Sequence, residues 1–282
     1  MKAMILAAGL GTRLRPLTND RPKALVELNS RTLLEITLTR LQSFGVTEAI
    51  INVHHHAQMV VDYLHSKNNF GMRVEISRED DQLLDTGGGL KKAAWFFQEN
   101  SATPDEPFFL HNVDVISSID LAAMLQFHKE NQALASLAVQ SRESSRQLLF
   151  NNELQLSGRR ISGQDAVILR EAKNPGTIST LPTTDETGKI PPHSPLVTRP
   201  SPFPLSKQSS PLIPLAFSGI HVISPRLLPM LTESTPVFSI IDSYLRLASQ
   251  SEKILAFRHD HSYWRDLGKP ADLTQAALDL EQ

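Results

Sequence analysis

The stretch Met4-Ile5-Leu6-Ala7-Ala8-Gly9-Leu10-Gly11-Thr12-Arg13, with Pro22-Lys23 ten residues further on, decides how this chain is read. Met4–Ala7 is a short apolar run with the character of a buried strand. The glycines behind it allow a sharp turn whose N–H groups face outward. Such N–H groups make a cradle for phosphate oxygens, which marks Ala7, Ala8, Gly9, Gly11 and Thr12 as candidate contacts. Arg13 adds a planar fork of donors suited to phosphate, and Lys23 adds a mobile point charge. A strand, a glycine turn and two cations describe a site for a nucleoside triphosphate. Two better-known glycine motifs are excluded. A dinucleotide fingerprint requires a third glycine where this chain has Leu14, and no G-x-x-x-x-G-K-[ST] string occurs.

Composition narrows the class. The 282 residues suffice for one large α/β domain or two smaller ones, and 40% hydrophobic with 21% charged residues is ordinary for a globular protein. A formal net charge of −2 gives no support for nucleic-acid binding. The absence of cysteine excludes disulfides and thiol chemistry. No apolar stretch approaches the roughly 18 residues of a membrane span. The N-terminus runs straight into the first strand-like segment, so no signal peptide is expected, and the expected location is cytoplasmic.

Strand-like and helix-like runs alternate through the first half. Ala3–Leu6, Ala49–Val53, Arg73–Ser77 and Pro107–His111 read as strands. Leu33–Phe44, Ala57–Leu64, Leu90–Phe97 and Leu121–Glu130 read as helices. This alternation predicts an α/β fold, a mostly parallel sheet with helices on both faces. Ligands bind such sheets beyond the carboxyl ends of the strands, and Gly9–Arg13 and Asn112–Asp114 both follow strands on that edge. Residues 159–214 differ: they hold ten of the eighteen prolines, many Ser and Thr, and few aromatics. That composition predicts a largely irregular Pro/Ser-rich insertion. Leu215–Ile223 then alternates like a strand, followed by a helix at Ile240–Ser249, a strand at Lys253–Phe257 and a helix at Ala271–Leu280. The expected organisation is a nucleotide-binding core (1–158), the insertion (159–214), and the remainder of the same catalytic domain (215–282).

Several further motifs carry chemistry. Asp114 ends the apolar segment Phe108-Phe109-Leu110-His111-Asn112-Val113, and a carboxylate at a sheet edge is a common holder of Mg²⁺. Asp266, in Tyr263-Trp264-Arg265-Asp266-Leu267-Gly268, reads equally as a metal ligand or a turn residue. Asp85-Thr86-Gly87-Gly88-Gly89 precedes an apolar helical run, and its glycines would let backbone approach a flat ligand and expose amides to a base edge. Asn52-Val53-His54-His55-His56 tempts a zinc reading. Consecutive strand residues alternate faces, however, so the three histidines do not converge readily on one ion.

Together these motifs resemble the sugar-phosphate nucleotidyltransferases, with the nearest likeness to small bacterial uridylyl- and guanylyltransferase members. Those enzymes join a sugar 1-phosphate to a nucleoside monophosphate and release pyrophosphate. The likeness covers residues 1–157 and 215–282 and fades across 159–214. It implies a Rossmann-like nucleotidyltransferase fold with a mixed, mostly parallel sheet, and nucleoside triphosphate and sugar 1-phosphate as partners. It implies that Mg²⁺ is held by Asp114, at the aspartate of the family's GD or SD pair although Val113 departs from it, and by Asp266 of the W-x-D-x-G segment. Arg13, Lys23 and Asp114 are the implied catalytic residues. Thr86, Gly87 and Gly88 would lie near the base and sugar. Asn52, Ser218 and Gly219 would line the sugar side, or serve only the strands that carry them. The family's E-K-P segment, whose lysine grips the sugar phosphate, is matched only imperfectly by Glu171-Ala172-Lys173-Asn174-Pro175, so Lys173 is not assigned. A cytidylyltransferase for phosphocholine or another non-sugar phosphate, and a catalytically silent nucleotide sensor, share the nucleotide half of the site.

Overall fold

A computed structural model of the chain describes residues 1–99, 105–169, 178–180 and 211–280. The opening apolar run is β1 (Lys2–Leu6). A small hairpin, β2 (Glu27–Leu28) and β3 (Arg31–Thr32), precedes α1 (Leu33–Ser43), whose first turn is capped by the Thr32 hydroxyl accepting from the Glu35 N–H. Then come β4 (Glu48–Val53), α2 (Ala57–Ser66), β5 (Arg73–Arg78), α3 (Asp85–Lys92), α4 (Ala94–Gln98) and β6 (Phe108–Asn112). β7 (Val115–Ser117) and α5 (Leu121–Glu130) lead to β8 (Ala135–Gln140), β9 (Arg146–Phe150), β10 (Leu156–Ile161), β11 (Val167–Leu169) and β12 (Ile178–Thr180). The last part holds β13 (Ile213–Ile223), α6 (Ile240–Ser249), β14 (Ile254–Arg258), β15 (Trp264–Asp266) and α7 (Pro270–Leu280).

Eleven strands form one mixed sheet along the path β12-β11-β10-β9-β13-β6-β1-β4-β5, with β8 joining β13 and β14 beside it. Its centre, β6-β1-β4-β5, is parallel, as the alternation of strands and helices predicts. β13 runs antiparallel to β6, β8 and β9 and so ties the late part of the chain into the middle of the sheet. Alternate residues of β1 and β4 enter opposite cores: Ala3, Ile5, Ala49 and Ile51 face one, Met4 and Ile50 the other. The first core is closed by α1, α2, α5 and α7, and the second by α3, α4 and α6. A sheet covered on both faces explains the continuous apolar runs of its parallel strands.

Residues 159–169 and 178–180 depart from the irregular insertion expected for 159–214, of which residues 170–177 and 181–210 lie outside the described residues. β10 continues to Ile161, and β11 and β12 extend the sheet edge by antiparallel pairing. All ten prolines of the 159–214 stretch lie at or beyond Pro175, so nothing there blocks the ladders of β10 and β11. Lys173 lies outside the described residues. Among the described residues, no helix is long and apolar enough to cross a membrane.

Candidate active site

The glycine turn leaves β1 at the carboxyl edge of the parallel strands. Gly11 has φ 63°, in the left-handed region, and a side chain there would meet Thr18 Cγ2 at 3.0 Å and Lys23 Cβ at 3.2 Å. The Thr18 hydroxyl donates to the Gly11 carbonyl at 2.8 Å and fixes the turn. Gly9, Leu10, Thr12 and Arg13 are exposed. Among the described residues, the N–H groups of Gly9, Leu10 and Gly11 have no protein acceptor. Ala7 and Ala8 are buried, and the Ala7 N–H donates to Asn52 Oδ1 at 2.7 Å, so that amide supports the turn from behind.

Asp114 follows β6, the strand beside β1, with Leu6 opposite Asn112 and the Val113 N–H donating to the Leu6 carbonyl at 3.2 Å. Lys23, at the head of a short turn of helix, forms an ion pair with the Asp114 carboxylate. The two side chains are only 12% and 13% exposed, so the pair is largely shielded from water. The late segment arrives through a two-stranded ribbon in which Asp266 of β15 lies opposite Val115 of β7. The Leu267 N–H then donates to the Asp114 carbonyl at 2.8 Å, so the backbones of the two acidic segments are joined directly.

Asp266 accepts from the Gly268 N–H at 2.7 Å. A Cβ on Gly268 would lie 2.6 Å from both Asp266 Oδ1 and Arg13 Nη2, which places the Arg13 guanidinium against that glycine and beside Asp266. Burial, and then the nearby Asp114 charge, raise the Asp266 carboxyl above its ordinary range, while Lys23, the Gly268 N–H and Arg13 pull it down. Two neighbouring carboxylates, at an edge lined by cations and free amides, suit a hard divalent cation shared with phosphate. Arg13, Lys23, Asp114 and Asp266 thus meet in one place.

The glycines after β5 serve a different contact. Gly87, Gly88 and Gly89 lie inside α3 and are buried. The N–H groups of Gly87 and Gly88 donate to the Phe238 carbonyl at 2.9 and 3.3 Å, so those two amides are engaged rather than open to a base edge. A Cβ on Gly88 would stand 2.1 Å from the Pro236 carbonyl oxygen, and one on Gly87 2.3 Å from the Phe238 ring. The Thr86 hydroxyl accepts from the Ile240 N–H at 3.0 Å, completing a seam between α3 and the start of α6. Asn52 is likewise committed: besides holding Ala7, its Nδ2 donates to Glu79 Oε1 at 2.7 Å, and the other Glu79 oxygen accepts from the Leu84 N–H at 2.9 Å. Glu79 is 1% exposed and ties together the ends of β1, β4 and β5. Its position in Arg78-Glu79-Asp80, at a strand end, gave no hint of this burial. His54 Nδ1 lies 2.6 Å from the Glu79 carbonyl, within hydrogen-bonding distance.

On the other flank, β13 carries a register shift between Phe217 and His221, and Gly219 there has φ 76°. A Cβ on Gly219 would press on Asn112 Nδ2 at 2.8 Å. Ser218 is fully buried, its hydroxyl 2.8 Å from His259 Nε2 and its carbonyl accepting from Trp264 Nε1 at 2.8 Å. Arg142, which sequence reasoning did not single out, stacks on the Trp264 ring at 3.7 Å and donates to the Phe217 carbonyl at 2.8 Å.

The family described as Nucleotidyl transferase matches residues 2–147. Over 116 residues the chain is 47% identical to N-acetylmuramate alpha-1-phosphate uridylyltransferase of Caulobacter vibrioides, covering 40% of this chain and 46% of that protein. It is 25% identical over 273 residues to a probable mannose-1-phosphate guanylyltransferase of Oryza sativa, covering 96% of this chain and 62% of that one. The chain therefore spans about half to three fifths of the length of these relatives. The crystal structure of HddC from Yersinia pseudotuberculosis complexed with GMP-PN shares the fold with a TM-score of 0.67 at 17% identity, over 99% of both chains. A family match over more than half of the chain, on a Rossmann-like mixed sheet of the same architecture, shows that the protein belongs to the nucleotidyl transferase family.

Proposed function

We propose that the protein transfers a nucleoside monophosphate from a nucleoside triphosphate to a sugar 1-phosphate, giving a nucleoside diphosphate sugar and pyrophosphate. The observation that carries this reading is the meeting of Arg13, Lys23, Asp114 and Asp266 beside a turn with unengaged N–H groups. The relatives' names, a uridylyltransferase and a guanylyltransferase of sugar 1-phosphates, support it.

The nucleophile is a phosphate oxygen that is already anionic, so no general base and no covalent enzyme intermediate is required. It attacks the α-phosphorus in line, and the bond to the β-phosphate oxygen breaks. Catalysis rests on positioning and on neutralising charge. The Gly9–Arg13 turn and the Arg13 guanidinium hold the β- and γ-phosphates. Lys23, released from its pairing with Asp114, steadies the α-phosphate. Asp114 and Asp266 would hold Mg²⁺, which supplies charge neutralisation on the reacting phosphates. In this reading Asn52 positions the glycine turn from behind, and Thr86, Gly87 and Gly88 set the floor beneath the base. Ser218 and Gly219 shape the acceptor side.

The test is pyrophosphate release with Mg²⁺, measured for four nucleoside triphosphates against a panel of sugar 1-phosphates and phosphocholine. Release confined to one pair and reduced at least 10²-fold by Asp114→Asn and by Lys23→Ala supports the assignment and names both substrates. Release with phosphocholine alone moves the protein to the non-sugar class. Triphosphate binding with no release from any pair points to a sensor.

A further inference from the structure

We propose that Arg142 is the cation that binds the phosphate of the phosphorylated acceptor. The inference rests on the nucleotidyl-transfer reading and adds to it a residue from outside the motifs. Among the described residues Arg142 forms no ion pair, yet its Nε is shut off from solvent without a hydrogen-bond partner. Arg142 is half-buried, and a guanidinium partly shielded from water with no ion pair and an unpartnered Nε is unfavourable. Here the guanidinium is held in place by neutral groups, the Trp264 ring on one side and the Phe217 carbonyl on another. Trp264 is itself pinned to the Ser218 carbonyl. The platform is therefore fixed by neutral contacts, and among the described residues the charge on it makes no ion pair.

Position identifies the anion. Trp264 stands two residues before Asp266 on β15, and the Asp266 carboxylate is close enough to attract the Arg142 guanidinium. Arg13 reaches Asp266 from the N-terminal turn, whereas Arg142 comes from just beyond β8 and leans on the β13 bulge. The triphosphate already has Arg13, Lys23 and the free amides. The acceptor's phosphate must be brought to the same carboxylate pair from the other flank, where, among the described residues, Arg142 is a cation without an ion pair. A planar fork can grip a phosphate monoester through two oxygens, and its stacking on indole fixes the plane of approach.

Trp264 makes the site readable, because the chain has two tryptophans and Trp95 can be replaced. In a Trp95→Phe background, glucose 1-phosphate, mannose 1-phosphate, N-acetylmuramate 1-phosphate and inorganic phosphate would be titrated by calorimetry and by Trp264 emission, with UTP and GTP as triphosphate arms. The expected result is saturable binding of at least one monoester with a change in emission. Its affinity should fall at least tenfold in Arg142→Gln and by less in Arg142→Lys, which keeps the charge but loses the planar fork. Triphosphate affinity should stay within twofold. In turnover, the Michaelis constant for the acceptor should rise with that for the triphosphate unchanged. A merely structural Arg142 would instead lower both affinities together with the melting temperature. Monoester affinity unaltered by Arg142→Gln, emission that answers only to UTP or GTP, or no monoester binding to the parent protein would each overturn the proposal. Monoester binding that depends on Arg142, with no pyrophosphate release from any pair, would leave this site standing and remove the nucleotidyl-transfer reading instead.

Discussion

Replacing Gly268 by alanine is a sharp test of whether Arg13 belongs to the catalytic machinery. The new Cβ would sit 2.6 Å from Arg13 Nη2 and from Asp266 Oδ1, against about 3.4 Å for ordinary contact, so the guanidinium must retreat by about 0.8 Å. Arg13 is exposed and its guanidinium is the far end of a flexible side chain, so the retreat costs little stability. Transition-state stabilisation is far less forgiving, since a misplacement of about 1 Å removes about 10²-fold in rate. That factor corresponds to about 2.7 kcal/mol of barrier. Gly268→Ala is therefore expected to lower kcat/KM for pyrophosphate release by about two orders of magnitude while the melting temperature moves by a few degrees at most. Arg13→Ala measured alongside should fall at least as far, and the double variant should fall short of the product of the two losses, because both changes act on Arg13; what it loses beyond Arg13→Ala alone reports the displacement of Asp266 by the same Cβ. A Gly268→Ala enzyme within threefold of wild type at unchanged melting temperature would refute the placement of Arg13 at the reacting phosphates.

Three further outcomes follow from the same geometry. A Cβ on Gly9 meets nothing within 4 Å, so Gly9→Ala should leave urea unfolding unchanged yet raise the Michaelis constant for the triphosphate; an unaltered constant would mean that phosphate does not pack on this turn. Gly88→Ala drives a Cβ to 2.1 Å from a backbone carbonyl of Pro236, and chemical unfolding should report a loss of about 1–3 kcal/mol or more, whereas an unchanged midpoint would contradict the close seam. His111 and His221 are held by burial down to about 4 and about 3 from 6.5. Between these values the unfolded chain takes up protons that the folded chain refuses. Their contribution to stability is present above pH 6.5 and is lost as the pH falls, by up to about 1.4 kcal/mol per pH unit for each histidine. Glu35, Glu233 and Asp260 are held below their ordinary range and so titrate below pH 5, and the raised Asp266 carboxyl acts in the opposite sense, so the measurement is made with Asp266→Asn as well; urea midpoints that stay flat from pH 7 to pH 5 in both proteins would contradict the burial of the histidines as neutral groups.

The sequence displayed its parallel core clearly because β1, β4 and β6 are buried on both faces and read as plain apolar runs between amphipathic helices. β8 escaped notice for a related reason: all six of its residues are buried, but alanine and serine dilute the run and no alternation marks it. The N-terminal cations were legible because Arg13 and Lys23 sit in a motif whose spacing carries its own chemistry. The pairing of Asp114 with Asp266 was suggested by likeness alone, since the β7–β15 ribbon that joins them is three residues long on each side. Arg142 was illegible. Its significance comes from Trp264 and the Phe217 carbonyl, which lie far from it in sequence and reach it only through the β13 bulge. Gly87 and Gly88 show the reverse case, in which a glycine run that looks made for a ligand serves the approach of Pro236 and Phe238.

The β7–β15 ribbon also has a bearing on biosynthesis. Ribosomes deliver the glycine turn, Lys23 and Asp114 long before they deliver Asp266, and Asp266 reaches Asp114 only once β15 has docked on β7. Until then the site lacks both the second carboxylate and the Gly268 seat for Arg13. On the proposed reading the second carboxylate joins the site only when β15 docks, so nucleotidyl transfer would wait for that step of folding.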